Sequence, residues 1–326
     1  MPTTVGIDIG GSSVKAVVRS ISGEVIARHE TPASFSDGPE VVEAAVAAYQ
    51  ALDPANCLAV GIGIPGQVDG YAGRVSFAVN LGIGVESFDL ASHLESRLGL
   101  PVLIENDVRA AVLGVQELLA NRGLHPGSLA LVSIGTGVSA GVLVDGALIR
   151  GSRGMAGEIG HVVLDEAGPG CRCGQRGCLE MLVSGPAIAR LWPRGPEDVA
   201  ATSLFTAAAE GNREAEEIAA VIAGHLTTAL IWLAAAYDTE VVALGGGVAS
   251  AGESFIDFIR AEITRRGTAS DLASRRLAPE QVVLADPFDL PGPRGAALIA
   301  ANTTLHEAIS TRRTKQPTSK QQGGAV

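Results

Sequence analysis

Residues 5–9 and 14–18 are two β-branched runs that flank Gly10, Gly11, Ser12 and Ser13. That pattern predicts a hairpin with a polar tip. Val42, Ala45, Val46 and Tyr49 recur at helical spacing and predict a helix over 41–52. A buried strand follows at 58–64, closed by Pro65 and Gly66. Leu90, Leu94 and Leu98, one turn apart, predict a helix over 88–98, and a strand is expected over 101–104. Glu105, Asn106 and Asp107 then stand at that strand's carboxyl end, before an apolar helical run at 108–119. Strands alternating with helices predict an α/β fold with mixed sheets flanked by helices.

The second half begins as the first does. Residues 131–144 lie over 6–19 without a gap, so that Ile134 and Gly135 fall on Ile9 and Gly10, and Val142 on Val17. A repeat this far apart is too long for a solenoid unit and predicts two related lobes facing each other across a ligand cleft. A further strand is expected at 240–244, running into Gly245-Gly246-Gly247. The long apolar window 218–237 contains Gly224, His225, Thr227 and Thr228, polar breaks that favour a buried helix over a membrane span. Residues 311–326 have almost no apolar content and read as a disordered tail.

At 326 residues with 47% hydrophobic and 18% charged positions, the chain can bury two sizeable cores. Its net charge of −11 argues against a nucleic-acid binder, which needs a basic surface. Only Met1 to Thr4 precede the first strand and nothing there resembles a signal peptide, so a soluble cytoplasmic protein is expected. The 41 glycines are roughly one residue in eight against a usual figure of about 7%, which points to tight turns and close approach of backbone to ligand.

No lysine is followed by serine or threonine, which removes a Walker A phosphate loop. Gly61-Ile-Gly63-Ile-Pro65-Gly66 matches G-x-G-x-x-G, but Pro65 lacks a donor amide and no helix opens behind it. The segment Asp8-Ile-Gly10-Gly11-Ser12 is more specific. Its backbone amides can cradle an anion, and a carboxylate beside phosphate calls for Mg²⁺ and its water shell between them. The plainer reading of Asp8 is a turn residue at a polar hairpin tip. Two further glycine turns, Gly135-Thr136-Gly137 and Gly245-Gly246-Gly247, favour a single nucleotide cleft lined by all three.

Cys171, Cys173 and Cys178 fall within eight residues, with His161 ten residues upstream. Three thiolates and one imidazole suit a closed, structural, tetrahedral Zn²⁺. The alternatives are a disulfide, which a cytoplasmic chain disfavours, a redox pair, for which C-x-C has the wrong spacing, and reactive thiols. Glu158 and Glu180 flank the cluster; they are either surface charges or ligand-binding groups oriented by the metal.

Glu158-Ile-Gly-His161 followed by Cys171-Arg-Cys173-Gly-Gln-Arg-Gly-Cys178-Leu-Glu180 resembles the ROK family of bacterial sugar kinases, in the actin/hexokinase-like superfamily, at every specified position of the family's pattern there. Asp8-Ile-Gly-Gly-Ser, Pro65-Gly66, Glu105-Asn106-Asp107, Gly135-Thr-Gly and Gly245-Gly-Gly-Val extend the resemblance over residues 5–302. It implies two actin-like (ribonuclease H-like) lobes. Residues 1–118 would form the smaller, completed by a C-terminal helix near 294–309, and 119–293 the larger, carrying the zinc-binding loop 158–180. It implies ATP-dependent phosphorylation of a hexose, at the 6-hydroxyl, with Asp107 as catalytic base. Gly66, Asn80, Asn106, Glu158, His161 and Glu180 would bind the sugar. Asp8, Gly10, Gly11, Ser12 and Lys15 would handle the phosphates of Mg-ATP, with Asp8 toward magnesium. Gly135, Thr136 and Gly137 would assist them, and Gly245, Gly246 and Gly247 would lie near adenosine. The implied partners are sugar, ATP and further copies of the chain in a homodimer or larger assembly, with no nucleic acid and no membrane.

Two departures sit beside the implied sugar pocket. Ala78-Val-Asn80 stands where glucokinases of the family usually have Pro-Asn followed closely by Trp, and Val108-Arg109 follows Asp107 where Ala-Asn is usual. They leave the reaction type intact and open the choice between glucose and an amino sugar: glucosamine, kanosamine, N-acetylmannosamine or N-acetylglucosamine. The family also contains sugar-responsive repressors, but these carry a helix-turn-helix module ahead of the first glycine loop, where this chain has four residues. A sugar-binding regulator without kinase activity is the remaining alternative.

Overall fold

The computed structural model describes residues 1–194, 197–286 and 289–302, with the side chains of 197 and 198 left aside. The expected tail at 311–326, and residues 303–309 of the expected last helix, lie outside these. In the first sheet, β1 (Thr3–Ile9), β2 (Ser13–Ser20) and β3 (Val25–Pro32) form an antiparallel meander. Helix α1 (Gly38–Leu52) leads to β4 (Cys57–Ile64), which pairs parallel to β1. A small hairpin, β5 (Gln67–Asp69) and β6 (Arg74–Ser76), and helix α2 (Leu90–Leu98) precede β7 (Val102–Asn106), which pairs parallel to β4. The sheet order is β3-β2-β1-β4-β7.

Helix α3 (Asp107–Asn121) then crosses to a second sheet built on the same plan. It contains β8 (Ser128–Ile134), β9 (Val138–Val144), β10 (Ala147–Leu148) and, later in the chain, β11 (Val241–Gly245) and β12 (Val282–Leu284), in the order β10-β9-β8-β11-β12. The internal repeat is therefore structural. Ile9 pairs with Val14 across the first glycine turn, and Ile134 with Val138 across the second. Between β10 and β11 come α4 (Glu180–Val183), α5 (Gly185–Leu191), α6 (Glu197–Ala209) and α7 (Arg213–Tyr237). Then follow β11 (Val241–Gly245), α8 (Glu253–Gly267), α9 (Asp271–Arg276), β12 (Val282–Leu284) and α10 (Pro291–Ala301). Helix α7 is long and apolar enough to cross a membrane, yet half of its most apolar window is buried in the protein. Ala219, Ile222, Leu226 and Leu230 join the core of the second sheet, as the polar breaks in its sequence predict.

Helix starts differ from the sequence expectation by a few residues, each for a capping reason. The Asp37 carboxylate accepts the Glu40 N–H, so α1 begins at Gly38. The Asp89 carboxylate accepts the Ser92 N–H, so α2 begins at Leu90, while Phe88 forms a bridge with Val75. Helix α10 begins at Pro291 rather than 294, with proline in the first turn, where its missing N–H costs nothing. The expected boundary at 118/119 falls inside α3.

Helix α3 touches both lobes. Val108, Val112, Val115 and Leu119 pack with Leu129, Leu131 and Leu143 of the second sheet, while Ala110 packs with Ala59 and Leu103 of the first and with Ile299 of α10. The contacts are close because glycines leave room. A Cβ on Gly295 would lie 1.6 Å from the Ala110 carbonyl oxygen, one on Gly114 2.0 Å from that of Pro291, and one on Gly141 of β9 2.5 Å from that of Val108. Gly295→Ala should therefore lower the urea-unfolding free energy by about 2–3 kcal/mol, because rigid backbone has to move. The control Gly84→Ala, with nothing within 4 Å of the added methyl, should change it by less than about 0.5 kcal/mol. Equal effects at the two positions would contradict this packing.

Candidate active site

The first turn of α3 sits where the two sheets face each other. Asn106 ends β7 and caps the helix, its Oδ1 accepting the Arg109 N–H at 3.2 Å. Its Nδ2 donates to the Gly66 carbonyl at 3.3 Å, which joins the Pro65-Gly66 turn to the same point. Asp107, the first helical residue, accepts its own helix's Val108 N–H at 2.9 Å. Acidic groups are favoured at this end of a helix dipole.

Asp107 faces a cavity of about 160 Å³ whose lining also includes Asp8, Lys15, Gly245, Gly246 and Gly292. The two aspartates, near the end of β1 and at the start of α3, flank Gly63 of the intervening strand β4: a methyl there would lie 3.4 Å from Asp8 Oδ1 and 3.6 Å from the Asp107 Cα. At Gly292 an added Cβ would fall 2.3 Å from Asp8 Oδ2. Burial first, then the Asp107 charge, pushes the Asp8 carboxyl up to about 7, against an opposing pull from Lys15. Burial pushes Asp107 up to about 6, and the Glu158 charge adds to this, while the Val108 N–H and Arg109 pull it down. This pocket holds more negative charge than its own cations neutralise. That is the electrostatic condition for a divalent cation with oxygen ligands, and Asp8 has the carboxylate for it.

The remaining glycine turns converge nearby. The Gly135 N–H donates to the Gly137 carbonyl at 2.9 Å, closing the turn between β8 and β9. A Cβ on Gly135 would lie 3.9 Å from the Gly247 nitrogen, so the second and third turns abut. Gly246 has φ +83°, and a Cβ there would press 2.5 Å from the Ile134 carbonyl oxygen. Thr136 is exposed at the tip of its turn. In the first turn, Gly10 donates to the Ser13 carbonyl at 2.9 Å, and the Ser12 carbonyl accepts from Ala33 at 3.0 Å. A Cβ on Gly11 would lie 3.4 Å from Asn80 Cβ, which brings Asn80 to the edge of the first turn.

Glu180, at the start of α4, accepts the Val138 N–H at 3.2 Å and lies against Gly137. Burial raises the Glu158 carboxyl and the Glu180 charge adds to it, while the His161 and Arg109 charges oppose the rise. The four groups thus share one electrostatic neighbourhood. The His161 Nδ1 lies 3.6 Å from Cys171 Sγ, and Cys173 Sγ lies 3.6 Å from Cys178 Sγ. All four donor atoms fall within 4.8 Å of one another. A tetrahedral ion with Zn–S bonds of about 2.3 Å would hold sulfurs about 3.8 Å apart, so the donor set fits zinc. Burial pushes the Cys178 thiol up to about 12, a value that a bound cation would reverse. With Nδ1 turned to the thiols, the imidazole's Nε2 remains for a second ligand.

The sequence model described as "ROK family" matches residues 4–303. The chain belongs to the ROK family. The glucokinase of Halalkalibacterium halodurans is 32% identical over 281 residues, 78% of this chain and 83% of that one. The N-acetylmannosamine kinase of Shigella boydii is 30% identical over 267 residues, 82% and 90% of the two chains. Among solved structures, a ROK family glucokinase from Streptomyces griseus in complex with glucose and AMPPNP superimposes with a TM-score of 0.77 at 30% identity, covering 92% of this chain and 99% of that one.

Sequence reasoning named the ROK motif residues but missed their supports. Gly292 follows Pro291, and a proline opening an apolar run was the signal for that helix start. Arg150 and Gly154, which meet Glu105 and Arg109, carried no local signal.

The raised carboxyls have a consequence for stability. An acid whose folded value exceeds its unfolded one binds protons preferentially in the native state, so stability falls as pH rises from about 4 through the folded values of about 6 and 7. In magnesium-free buffer, Asp107→Asn should be no more stable than the parent near pH 4. Its advantage should grow through pH 6 and level off above 7, at about 2–3 kcal/mol at most. Thermal melts across pH check this; a variant less stable than the parent at pH 8 would contradict it.

Proposed function

We propose that this ROK protein transfers the γ-phosphoryl group of ATP to a hexose, at the primary 6-hydroxyl. The observation that carries the reading is the Asp107 carboxylate at the first turn of α3, facing Asp8 across one cavity between two glycine-turn sheets. The match to a ROK family glucokinase in complex with glucose and AMPPNP supports it.

Phosphoryl transfer asks a protein for positioning, charge neutralisation and one acceptor for the hydroxyl proton. Asp107 accepts that proton as the sugar oxygen attacks phosphorus. A carboxyl near 6 in the free protein is mostly ionised at neutral pH and is still basic enough to take the proton. Asn106 and the Gly66 turn, tied by their hydrogen bond, orient the sugar from one lobe, and Glu158, His161 and Glu180 from the other. The amides of Gly10, Gly11 and Ser12 hold phosphate oxygens together with Lys15, Gly135 to Gly137 support the phosphates from the facing sheet, and Gly245 to Gly247 leave backbone open to adenosine. Bound Mg²⁺, held near Asp8, supplies charge neutralisation at the phosphates. Zn²⁺ at His161, Cys171, Cys173 and Cys178 fixes the loop that ends at Glu180. A second reading, an amino sugar as acceptor, is favoured by the likeness to an N-acetylmannosamine kinase.

Asp107→Asn should lower kcat by at least about 10³-fold while leaving sugar binding within a few-fold, measured by ADP release and by calorimetry. Full turnover in this variant would overturn the assigned base. Elemental analysis of the purified protein should give about one zinc per chain, and Cys173→Ser should lower that content and raise KM for sugar more than KM for ATP. Active protein with no zinc would overturn the metal assignment.

A further inference from the structure

Arg109 is 1% exposed, the largest of the fully buried side chains among the described residues. It occupies the first turn of α3, two residues after Asp107. Its Nε donates to Glu105 Oε1 at 2.8 Å, and its Nη1 donates to the Gly154 carbonyl at 2.8 Å. The other oxygen of Glu105, also buried, accepts from Arg150 Nε at 2.6 Å. Glu105 Oε1 further accepts the Asn106 N–H at 2.9 Å. Two guanidiniums therefore share one carboxylate, a net charge of one positive unit, directly behind Asn106 and Asp107. Gly154 lies four residues before Glu158, so Arg109 also joins the turn that carries the base to the loop that carries the facing glutamate.

This is an expensive arrangement for a residue that only fills space. Arg109 Nη2 is buried and has no hydrogen-bond partner. Such a donor costs roughly 1–3 kcal/mol, and apolar residues of like volume are often as stable or more so in place of a buried ion cluster. Both Asp107 and Glu158 feel the charge, each being pulled toward its ionised form by Arg109. A positive charge that biases those two carboxylates acts on anything seated between them.

We propose that Arg109, with Arg150, is a specificity-determining pair that selects uncharged acceptors, free hexoses or N-acylated amino sugars, over amino sugars bearing a free ammonium group. This rests on the sugar-kinase reading and narrows its substrate class. Asp107, Glu158 and Glu180 on their own would attract a cationic sugar. The excess positive charge, carried by buried Arg109 and half-buried Arg150, opposes that attraction, while a hydroxyl or an amide at the same ring position is indifferent to it. Electrostatic selection of this kind works by rejection of the wrong ligand rather than by added contacts to the right one.

The test compares glucosamine with glucose and N-acetylglucosamine at slightly acid pH, where glucosamine is protonated. Arg109→Gln, which keeps a donor but loses the charge, should raise the kcat/KM ratio of glucosamine to glucose about tenfold. Arg109→Lys, which keeps the charge but loses the fork, should leave that ratio within about twofold of the parent. A purely structural role would lower all three sugars together in both variants, and an unchanged ratio in Arg109→Gln overturns the proposal. If circular dichroism shows that Arg109→Gln does not fold, Arg150→Gln, at a side chain 36% exposed, removes the other charge and should move the ratio in the same direction by at least about threefold. No shift there overturns the proposal equally. Calorimetric binding of the same sugars reads the ratio without turnover. Binding of neutral sugars with the predicted shift but no phosphate transfer would sink the kinase reading alone, and binding of none of them would sink both.

Discussion

Helix α3 is the element on which the rest depends, because it packs against both sheets at once. Gly141 admits its first turn against β9, and Gly114 and Gly295 admit α10 against its side, each at a distance that a methyl group would not allow. The helix can therefore move relative to either sheet only by breaking close backbone contact. Its N-terminus carries Asn106 and Asp107 to the place where the strand ends of both sheets meet. Part of the chain's glycine richness becomes intelligible here: Gly114, Gly141 and Gly295 serve close packing around one helix rather than phosphate binding. Function and packing draw on the same residue type for the same reason, the absence of a Cβ.

The second constraint is charge. Asp8 and Asp107 are held together in a partly enclosed cavity, where burial raises both carboxyls and the Asp107 charge adds to the rise at Asp8, and Glu158 and Glu180 extend the acidic line into the other lobe. A protein would not keep this arrangement for stability. It becomes favourable once cations enter, whether a divalent ion near Asp8 or a proton at Asp107. Arg109 and Glu105 form the counterweight on the far side of the same turn, so the acidity of the pocket is set by a buried ion cluster as well as by the carboxylates that line it.

Much of this was legible in the sequence. The glycine-turn hairpins at 10 and 135, their equivalence, the parallel strands ending at Gly66 and Asp107, and the grouping of His161 with three cysteines all follow from short-range patterns. Capping residues were legible too, but apolar periodicity outweighed them: it sets the start after Asp37 three residues late and the start after Asp89 two residues early. What the sequence hid was contact between distant segments. Arg109 read only as a departure from a family pattern: its ion-pair partner Glu105 is one helical turn away, but Gly154, which it also meets, and Arg150, which shares Glu105, are more than forty positions away. Nothing local says that an arginine in a helix's first turn will be buried. Long-range ion clusters are specified by topology, and topology is what one sequence conveys least directly.

In the proposed reaction the carboxylate at the start of α3 takes the proton of the acceptor hydroxyl. A crystal structure of the protein with glucose, magnesium and a non-hydrolysable ATP analogue tests it most directly. An Asp107 carboxylate oxygen should lie about 2.6–3.2 Å from the sugar's primary hydroxyl, with that hydroxyl in line with the terminal phosphorus. A sugar whose reacting oxygen is held by another group, with Asp107 beyond hydrogen-bonding reach of any sugar oxygen, would contradict it.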